Sequence, residues 1–433
     1  MQAGLSDTIF ALASGQGRAA VAIIRISGAQ AGGLVAALCG DCPAPRRATV
    51  RLLRDAAGTV LDQALVLWFP APRSYTGEDA AELQVHGGAA VIEAVLLELA
   101  RRGGRPAEPG EFTRRAVLNG RMDLLAAEAV ADLIDAETSF QREQALAQMR
   151  GMLGAVYAGW TERLLRLLAQ QEALIDFPDE DLPESITAAM RTDMAQIRAE
   201  MARHLDDDGR GERLRTGLVF AISGPPNVGK STLINALCQR EVAIVSPVPG
   251  TTRDVLEARL DLAGIPVTLL DTAGLREATD PIEAEGIRRA RARVASADLV
   301  VALTDDPGAC GAAPEDPRVL RVRTKGDLMA DPADGILTVS AQNGTGLQHL
   351  LSELERIAVR LAAPRGTPAL SRARHRAAVQ DAMACLDSAA AAALPEICGE
   401  ELRLAVQALG RITGRVGVED VLDSVFRQFC IGK

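Results

Sequence analysis

Lysine is nearly missing from this chain. Of 47 basic residues among 433, only Lys230, Lys325 and Lys433 are Lys, and the rest are Arg. Where Arg serves every general need for positive charge, a surviving Lys marks a place that wants a compact ammonium on a flexible stem. Long apolar runs are also lacking: nothing approaches the roughly 18 residues of a membrane-spanning helix, so no membrane role is expected. No basic residue precedes Arg18, which does not fit a secretory signal. The seven Cys are odd in number and scattered, unlike a disulfide framework, and a reducing, cytoplasmic setting is expected. Positive charge is short overall, with a net charge of −10. The last 63 residues carry eight basic and eight acidic side chains, so no basic tail exists, and any nucleic-acid contact must be local or shared with another protein.

What is present suits a globular chain. Hydrophobic residues make up 48% and charged residues 24%, and about 150 residues per domain predicts roughly three domains.

The middle of the chain carries ordered nucleotide motifs. The apolar LVFAI at 218–222 runs into Gly224-Pro-Pro-Asn-Val-Gly-Lys-Ser231 and then a helical TLINAL. This is the P-loop pattern in strand–loop–helix context: glycines let backbone N–H groups face phosphate, Lys230 reaches the terminal phosphates and Ser231 can ligate magnesium. Asn227, Val228, Gly229 and Thr232 complete the stretch. Gly250-Thr251-Thr252-Arg-Asp254 supplies a second hydroxyl for the metal. PVTLL at 266–270 leads to Asp271-Thr272-Ala273-Gly274, whose carboxylate can hold the metal through water. ADLVVAL at 297–303 and RVLRV at 318–322 are further apolar strands, and the latter is followed by Thr324-Lys325-Gly-Asp327. Asp327 can accept from the paired ring and amino N–H donors of guanine, which adenine lacks. ILTVS at 336–340 ends at Ser340-Ala341-Gln342, where the base meets backbone. The alternation of strand and helix predicts a doubly wound parallel sheet.

This order resembles the translation-factor-like GTPases, with departures. Thr324 stands where Asn is usual, and a shorter hydroxyl should lower base affinity. Residues 305–317 leave little room for a crossover helix. Leu275 stands where Ras-like enzymes have a water-orienting Gln, so another group, within Arg276–Arg293, must take that task.

The flanks carry AVAIIRISG (20–28), RSYTGEDAAELQVHGG (73–88), PGEFTRRAVLNGRMDLLAAEAVADLIDAET (109–138) and a terminal Cys-Ile-Gly-Lys433. With the central motifs they resemble the tRNA-modification GTPase MnmE (TrmE) family over essentially the whole chain. The resemblance implies an α/β multidomain protein: an α+β folate-binding and dimerising domain at 1–119, then an all-α helical domain at 120–215 and 371–433 interrupted by an inserted Ras-like P-loop GTPase domain at 216–365. It implies GTP and GDP, Mg2+ and K+ as ligands, and 5,10-methylene-tetrahydrofolate as one-carbon donor, with 5-formyl-tetrahydrofolate as an analogue. It implies a homodimer that joins the FAD-dependent flavoprotein MnmG as a heterotetramer. The pair would place a (carboxymethyl)aminomethyl group on carbon 5 of the wobble uridine, with tRNA held mainly through the partner. Carried over residue by residue, potassium falls to Asn227, Ser246, Val248 and Thr251, and magnesium to Ser231 and Thr252. Glu283 would orient the attacking water. Arg25, Glu82, Arg121 and Lys433 would bind folate, with Glu82 accepting from ring N–H donors and the basic groups meeting the carboxylate tail.

An inserted domain also fits the helical periodicity. Leu146, Met149, Leu153, Val156, Trp160, Leu164, Leu167 and Leu174 recur at steps of mostly three and four, which predicts one helix over 144–175, stopped by Pro178 and Pro183. Leu402, Val406 and Leu409 predict another within 399–433. Cys39-Gly-Asp-Cys42 has metal-like spacing without a second pair nearby. His86 is expected to be a turn or packing residue. Cys430 is either a nucleophile toward the uridine ring or, as a lone Cys among apolar residues, a packing group. A ribosome-assembly or regulatory GTPase without one-carbon chemistry stays as the alternative, but it explains neither flank.

Overall fold

The computed structural model describes residues 7–15, 17–176, 184–240, 242–244, 257–271, 295–306, 316–328, 337–364 and 369–414, with 425, 429 and 432. The chain divides into two compact units, Met1–Ala131 with Gln407–Lys433, and Asp132–Val406. Among the described residues, no helix is long and apolar enough to cross a membrane.

The first unit is built on a six-stranded sheet. Its strands are β1 Ile9–Leu12, β2 Val21–Ser27, β3 Thr49–Arg54, β4 Val60–Phe69, β5 Ala80–His86 and β6 Arg105–Pro106, in the order β3-β4-β5-β2-β1-β6. All neighbours are antiparallel except β1 and β6. Successive side chains point to opposite faces. On one face Ile24, Ile26, Leu83, Val85 and Val66 bury against α1 (Ala31–Cys39) and α2 (Ala89–Arg101), through Leu34, Leu38, Val95 and Leu99. The other face carries Ile23, Arg25, Glu82 and Gln84, which are half-buried. The short α3 (Glu111–Leu118) presents Phe112 to Ile9 and Ala11 at the β1 end of that face. The helix α4 (Leu124–Asp135) follows, and Leu124 and Ala127 pack with Val425 and Phe429 near the C-terminus.

In the second unit the helix expected over 144–175 is two helices, α5 (Ser139–Met149) and α6 (Met152–Asp176). Gly151 sits between them at φ +81, a left-handed turn open to Gly at no steric cost. The buried face shifts at the break: before it Ala145 and Gln148 are buried and Leu146 is half-buried. After it, Leu153, Tyr157, Trp160, Leu164, Leu167 and Gln171 are buried, while Met149 is exposed. The stops proposed at Pro178 and Pro183 lie outside the described residues. The helix α7 (Glu184–Leu205) and α8 (Arg210–Thr216) lead into a five-stranded sheet. Its strands are β7 Leu218–Ser223, β8 Glu257–Leu262, β9 Ile265–Asp271, β10 Leu299–Thr304 and β11 Val319–Arg323, in the order β11-β10-β7-β9-β8.

Four of these match the apolar runs, and the parallel core is as expected. The fifth, β8, corrects the all-parallel expectation, since it pairs antiparallel with β9. Its EARLDL is an edge strand with Leu260 and Leu262 buried and Glu257 and Arg259 outward, so no continuous apolar run announced it. The strand expected at 336–340 is, among its described residues, an isolated bridge of Thr338 to Arg323. The chain turns back at once there, with Ser340 N donating to Thr345 O at 2.9 Å. The helices α9 (Lys230–Cys238) and α10 (Leu347–Ala362) supply Leu233, Leu237, Leu350 and Leu354 to the core of this sheet. Residues 307–315, on which the missing crossover helix was inferred, lie outside those described. Then come α11 (Ala373–Ala391) and α12 (Pro395–Thr413), the latter burying Leu402 and Leu409 as the periodicity predicts.

Candidate functional site

The nucleotide motifs converge at the C-terminal ends of β7, β9, β10 and β11. Gly224 follows β7 at φ +150, and a Cβ there would lie 2.6 Å from Leu303 O on β10. Only glycine lets the loop leave the sheet so close to its neighbour. Asn227 takes a left-handed φ of +64 and Gly229 one of +99, which turns the chain so that α9 begins at Lys230 with its N-terminal N–H groups open to an anion. The Lys230 ammonium donates to Gly224 O at 2.8 Å and Pro225 O at 2.9 Å. It is therefore held directly over the loop, among carbonyls that phosphate oxygens can replace.

Ser231 donates its hydroxyl to Asp271 Oδ2 at 2.6 Å. The two residues are 40 positions apart in sequence, yet they form the paired oxygens that a hard divalent cation takes. Asp271 ends β9 and is buried. Val228 is fully buried, and its carbonyl accepts the Thr324 hydroxyl at 2.8 Å. Thr324 is thus a strut between the phosphate loop and the base motif, and its hydroxyl is engaged there. Lys325 has φ +57, and its ammonium pairs with Asp305 Oδ2 at 2.7 Å. That hydrogen bond holds the Asp305 carboxyl below the usual carboxylate range. Asp327 is exposed in the 3-10 turn Gly326–Leu328. The base loop is braced against the last motif by Gly326 N to Val339 O at 3.1 Å, and Ser340 is fully buried beside half-buried Ala341. Thr232 is exposed one residue beyond Ser231. Ser246, Val248, Thr251, Thr252, Thr272, Ala273, Gly274, Glu283, Cys430 and Lys433 lie outside the described residues.

The first unit holds a second constellation. Arg25 on β2 and Glu82 on β5 are direct cross-strand partners. Arg25 Nε and Nη2 both donate to Glu82 Oε1, at 3.2 and 2.9 Å. The guanidinium carbon lies 5.3 Å from the Tyr75 ring centre and 5.8 Å from that of Phe112. The segment around Tyr75 is tightly tied. Ser27 Oγ meets Thr76 Oγ1 at 2.7 Å and donates to Glu78 at 2.8 Å, and Asn119 donates to Thr76 O at 2.8 Å. The fully buried Arg115 binds Glu78, Glu111 and Asp7 O. Burial works to raise the Glu111 carboxyl, but Arg105 and Arg115 hold it below its ordinary value. Arg121 is exposed and lays its stem over Gly77, whose added Cβ would sit 3.1 Å from Arg121 Cγ. Arg25, Glu82 and Arg121 therefore all border the loop 75–77 or its strand.

The C-terminus reaches the same sheet. Gly432 is buried at φ +101, and a Cβ there would lie 2.3 Å from Leu12 O. Leu12 adjoins Ala11, the β1 residue paired with Arg25.

Motif reading missed Asp305, Tyr75 and Phe112. A carboxylate just past the end of a parallel strand was the available signal for Asp305. Nothing in spacing placed the two rings. His86 does not pack: it is exposed at the end of β5, and its Nδ1 meets Asp62 Oδ1 at 2.7 Å. Burial pushes the Cys39 thiol up to about 11 and raises Cys42 as well, so both stay protonated beside the core they pack on.

Two family descriptions match the chain. "GTP-binding protein TrmE N-terminus" covers residues 8–121 and "MnmE helical domain" covers 124–430. Among relatives, the tRNA modification GTPase MnmE of Gluconacetobacter diazotrophicus is 56% identical over 430 residues, covering 98% of each chain. That of Granulibacter bethesdensis is 54% identical, covering 99% of each, and that of Rhodospirillum rubrum is also 54% identical over 99% of each.

Proposed function

The chain belongs to the MnmE family of tRNA modification GTPases, and we propose that it is the GTP-hydrolysing subunit of a complex that modifies the wobble uridine. In this reading it adds a (carboxymethyl)aminomethyl group at carbon 5, using the one-carbon unit of 5,10-methylene-tetrahydrofolate. It works as a cytoplasmic homodimer with the FAD-dependent flavoprotein MnmG, which contributes most of the hold on tRNA. The parts are an N-terminal folate domain at 1–119, helical segments at 120–215 and 371–433, and a GTPase domain at 216–365. The junction of the two family matches, 8–121 and 124–430, supports the first of these boundaries.

The observation that carries the hydrolytic half is the contact of Ser231 with Asp271 beneath the phosphate loop. Ser231, with Thr252, would hold Mg2+ and Asp271 would hold it through water; when bound, the ion neutralises phosphate charge as GTP is cleaved. Lys230 would exchange its two loop carbonyls for phosphate oxygens, keeping its charge matched in a partly buried place. The loop N–H groups of 227–231 would point at the same phosphates, and Thr324 would keep the loop in register with Lys325 and Asp327 at the base. Asn227, at its left-handed φ, offers a side-chain carbonyl for K+, with Ser246, Val248 and Thr251 as the proposed remainder of the shell. Glu283 would orient the attacking water.

The folate half rests on the Arg25–Glu82 pair and on Gly432 seated beside β1. That seat supports bringing Cys430 and Lys433 to the folate side of the sheet.

Nucleoside analysis of tRNA from a strain lacking this protein tests the whole reading. The modified wobble uridine should vanish, return with the wild-type chain, and fail to return with Asp271→Asn. Normal modification in the deletion strain would favour the ribosome-assembly alternative.

A further inference from the structure

The guanidinium of Arg25 is held on three sides. One oxygen of Glu82 takes two of its nitrogens, and the rings of Tyr75 and Phe112 lie within the roughly 6 Å reach at which an aromatic face attracts a cation. Among the described residues, Arg25 Nη1 and Glu82 Oε2 are left without a partner in this arrangement. A donor and an acceptor thus stand side by side on adjacent strands.

We infer that Tyr75 and Phe112 are positioning residues of the folate site, an aromatic cage that fixes the plane of Arg25 before ligand arrives. The inference rests on the folate reading given above and deepens it. An Arg side chain has many rotamers, and ordering one on binding opposes affinity. Here that ordering is built into the fold. Glu82 alone cannot supply it, since a pair on one oxygen lets the guanidinium pivot about that oxygen, into a side-on fork that consumes Oε2 or toward an end-on fork that consumes Nη1 as well. On this reading the two rings, 5.3 and 5.8 Å from the guanidinium carbon, oppose that pivot. What remains is a donor–acceptor edge suited to a fused heterocycle that presents an acceptor and an N–H in one plane, as a pterin amide does; the pairing with Glu82 thus moves Arg25 from the carboxylate tail, where the resemblance set it, to the ring.

The cage is itself anchored. The Tyr75 hydroxyl meets Thr113 Oγ1 on α3 at 2.9 Å, and Phe112 is fully buried in the same helix. The loop carrying Tyr75 is fixed through Glu78 to Ser27 and Arg115. The plain alternative is that both rings only fill the core beside Ile9 and Ala11. Filling requires volume, whereas positioning requires the aromatic face, and the two can be separated.

Calorimetric titration of the full-length protein with 5-formyl-tetrahydrofolate does so. Tyr75→Leu keeps apolar bulk and loses the ring face, and it should bind about tenfold more weakly with its thermal midpoint little changed. Tyr75→Phe keeps the ring, loses the hydroxyl, and should bind within about twofold of wild type. Phe112→Leu, the second variant should Tyr75→Leu not fold, should also weaken binding several-fold. Wild-type affinity in Tyr75→Leu or, if that does not fold, in Phe112→Leu overturns the inference. So does a Tyr75→Phe loss equal to that of Tyr75→Leu, which would place the effect in the hydroxyl. Arg25→Ala is the separate arm: if it binds as wild type, the folate reading of Arg25 fails, whereas a loss there with Tyr75→Leu unaffected removes the cage alone.

Discussion

At the scale of single residues, Thr324 changes its meaning between sequence and structure. Spacing alone shows a hydroxyl where an amide is usual, and that suggests a poorer contact with the base. The structure puts the hydroxyl on Val228 O, so it serves the joint between phosphate loop and base loop. Thr324→Val keeps the shape and leaves that joint unmade. One such hydrogen bond is worth about 0.5–1.5 kcal/mol net, so GDP affinity should fall two- to tenfold. Thr324→Asn can keep the joint and return an amide beside the base, and should tighten GDP by a similar factor. Calorimetry with GDP checks both; a Thr324→Val variant with wild-type affinity would show that the loop needs no strut. Asn227 bears on the ion. Its left-handed backbone frees the side chain from the helix that follows, and Leu275 cannot orient water. In the proposed mechanism a monovalent cation adds positive charge at the phosphates. GTP hydrolysis should be faster in potassium than in sodium, and Asn227→Ala should remove that difference. Equal rates in both salts in the wild type would refute the assignment.

Elements show where periodicity succeeds and where it fails. The strands β7 and β9 are largely buried on both faces and were legible as apolar runs; β10 buries every other residue yet still reads LVVAL, and β11, at the sheet edge, was legible from Val319, Leu320 and Val322 although Arg321 interrupts it. The edge strand β8 alternates and was not. The break at Gly151 was invisible because apolar residues recur at three- and four-residue steps across it although the buried face shifts to Ala145 and Gln148 before it, and a lone Gly inside a helical pattern is weak evidence of a stop. Turn chemistry carries the clearest element-scale prediction. Gly432 must remain Gly, since a Cβ would fall 2.3 Å from Leu12 O at φ +101. The clash is with backbone on both sides, so no side-chain shift relieves it. Gly432→Ala should unseat the chain end from β1 while leaving Val425 and Phe429 on Leu124. Potassium-stimulated GTP hydrolysis should stay near normal and wobble-uridine modification should be largely lost. Full modification by Gly432→Ala would mean that the end need not dock.

On the scale of the whole molecule, the chain's organisation was legible because its motifs lie in every region and in an order that physical roles require. The constellation around Arg25 was legible only as positions: Arg25 and Glu82 could be named, but their pairing needed the strand register, and the rings around Arg25 needed the fold. Charge is the property that no single contact carries. With a net charge of −10 and a balance of charge over residues 371–433, the protein repels a polyanion at long range, and only local arginines can answer that. Each phosphate neutralised by a protein cation adds roughly 0.9 to the slope of log affinity against log salt for duplex nucleic acid and about 0.7 for single strands. The protein alone should therefore bind tRNA weakly with a shallow slope, on the order of one or two. Adding the flavoprotein should steepen the slope and raise affinity together, because the cations then come from the partner. Fluorescence anisotropy with labelled tRNA between low and moderate salt measures both. A steep slope for this protein without its partner would show that its arginines form a phosphate-binding surface of their own, and would move tRNA recognition onto this chain.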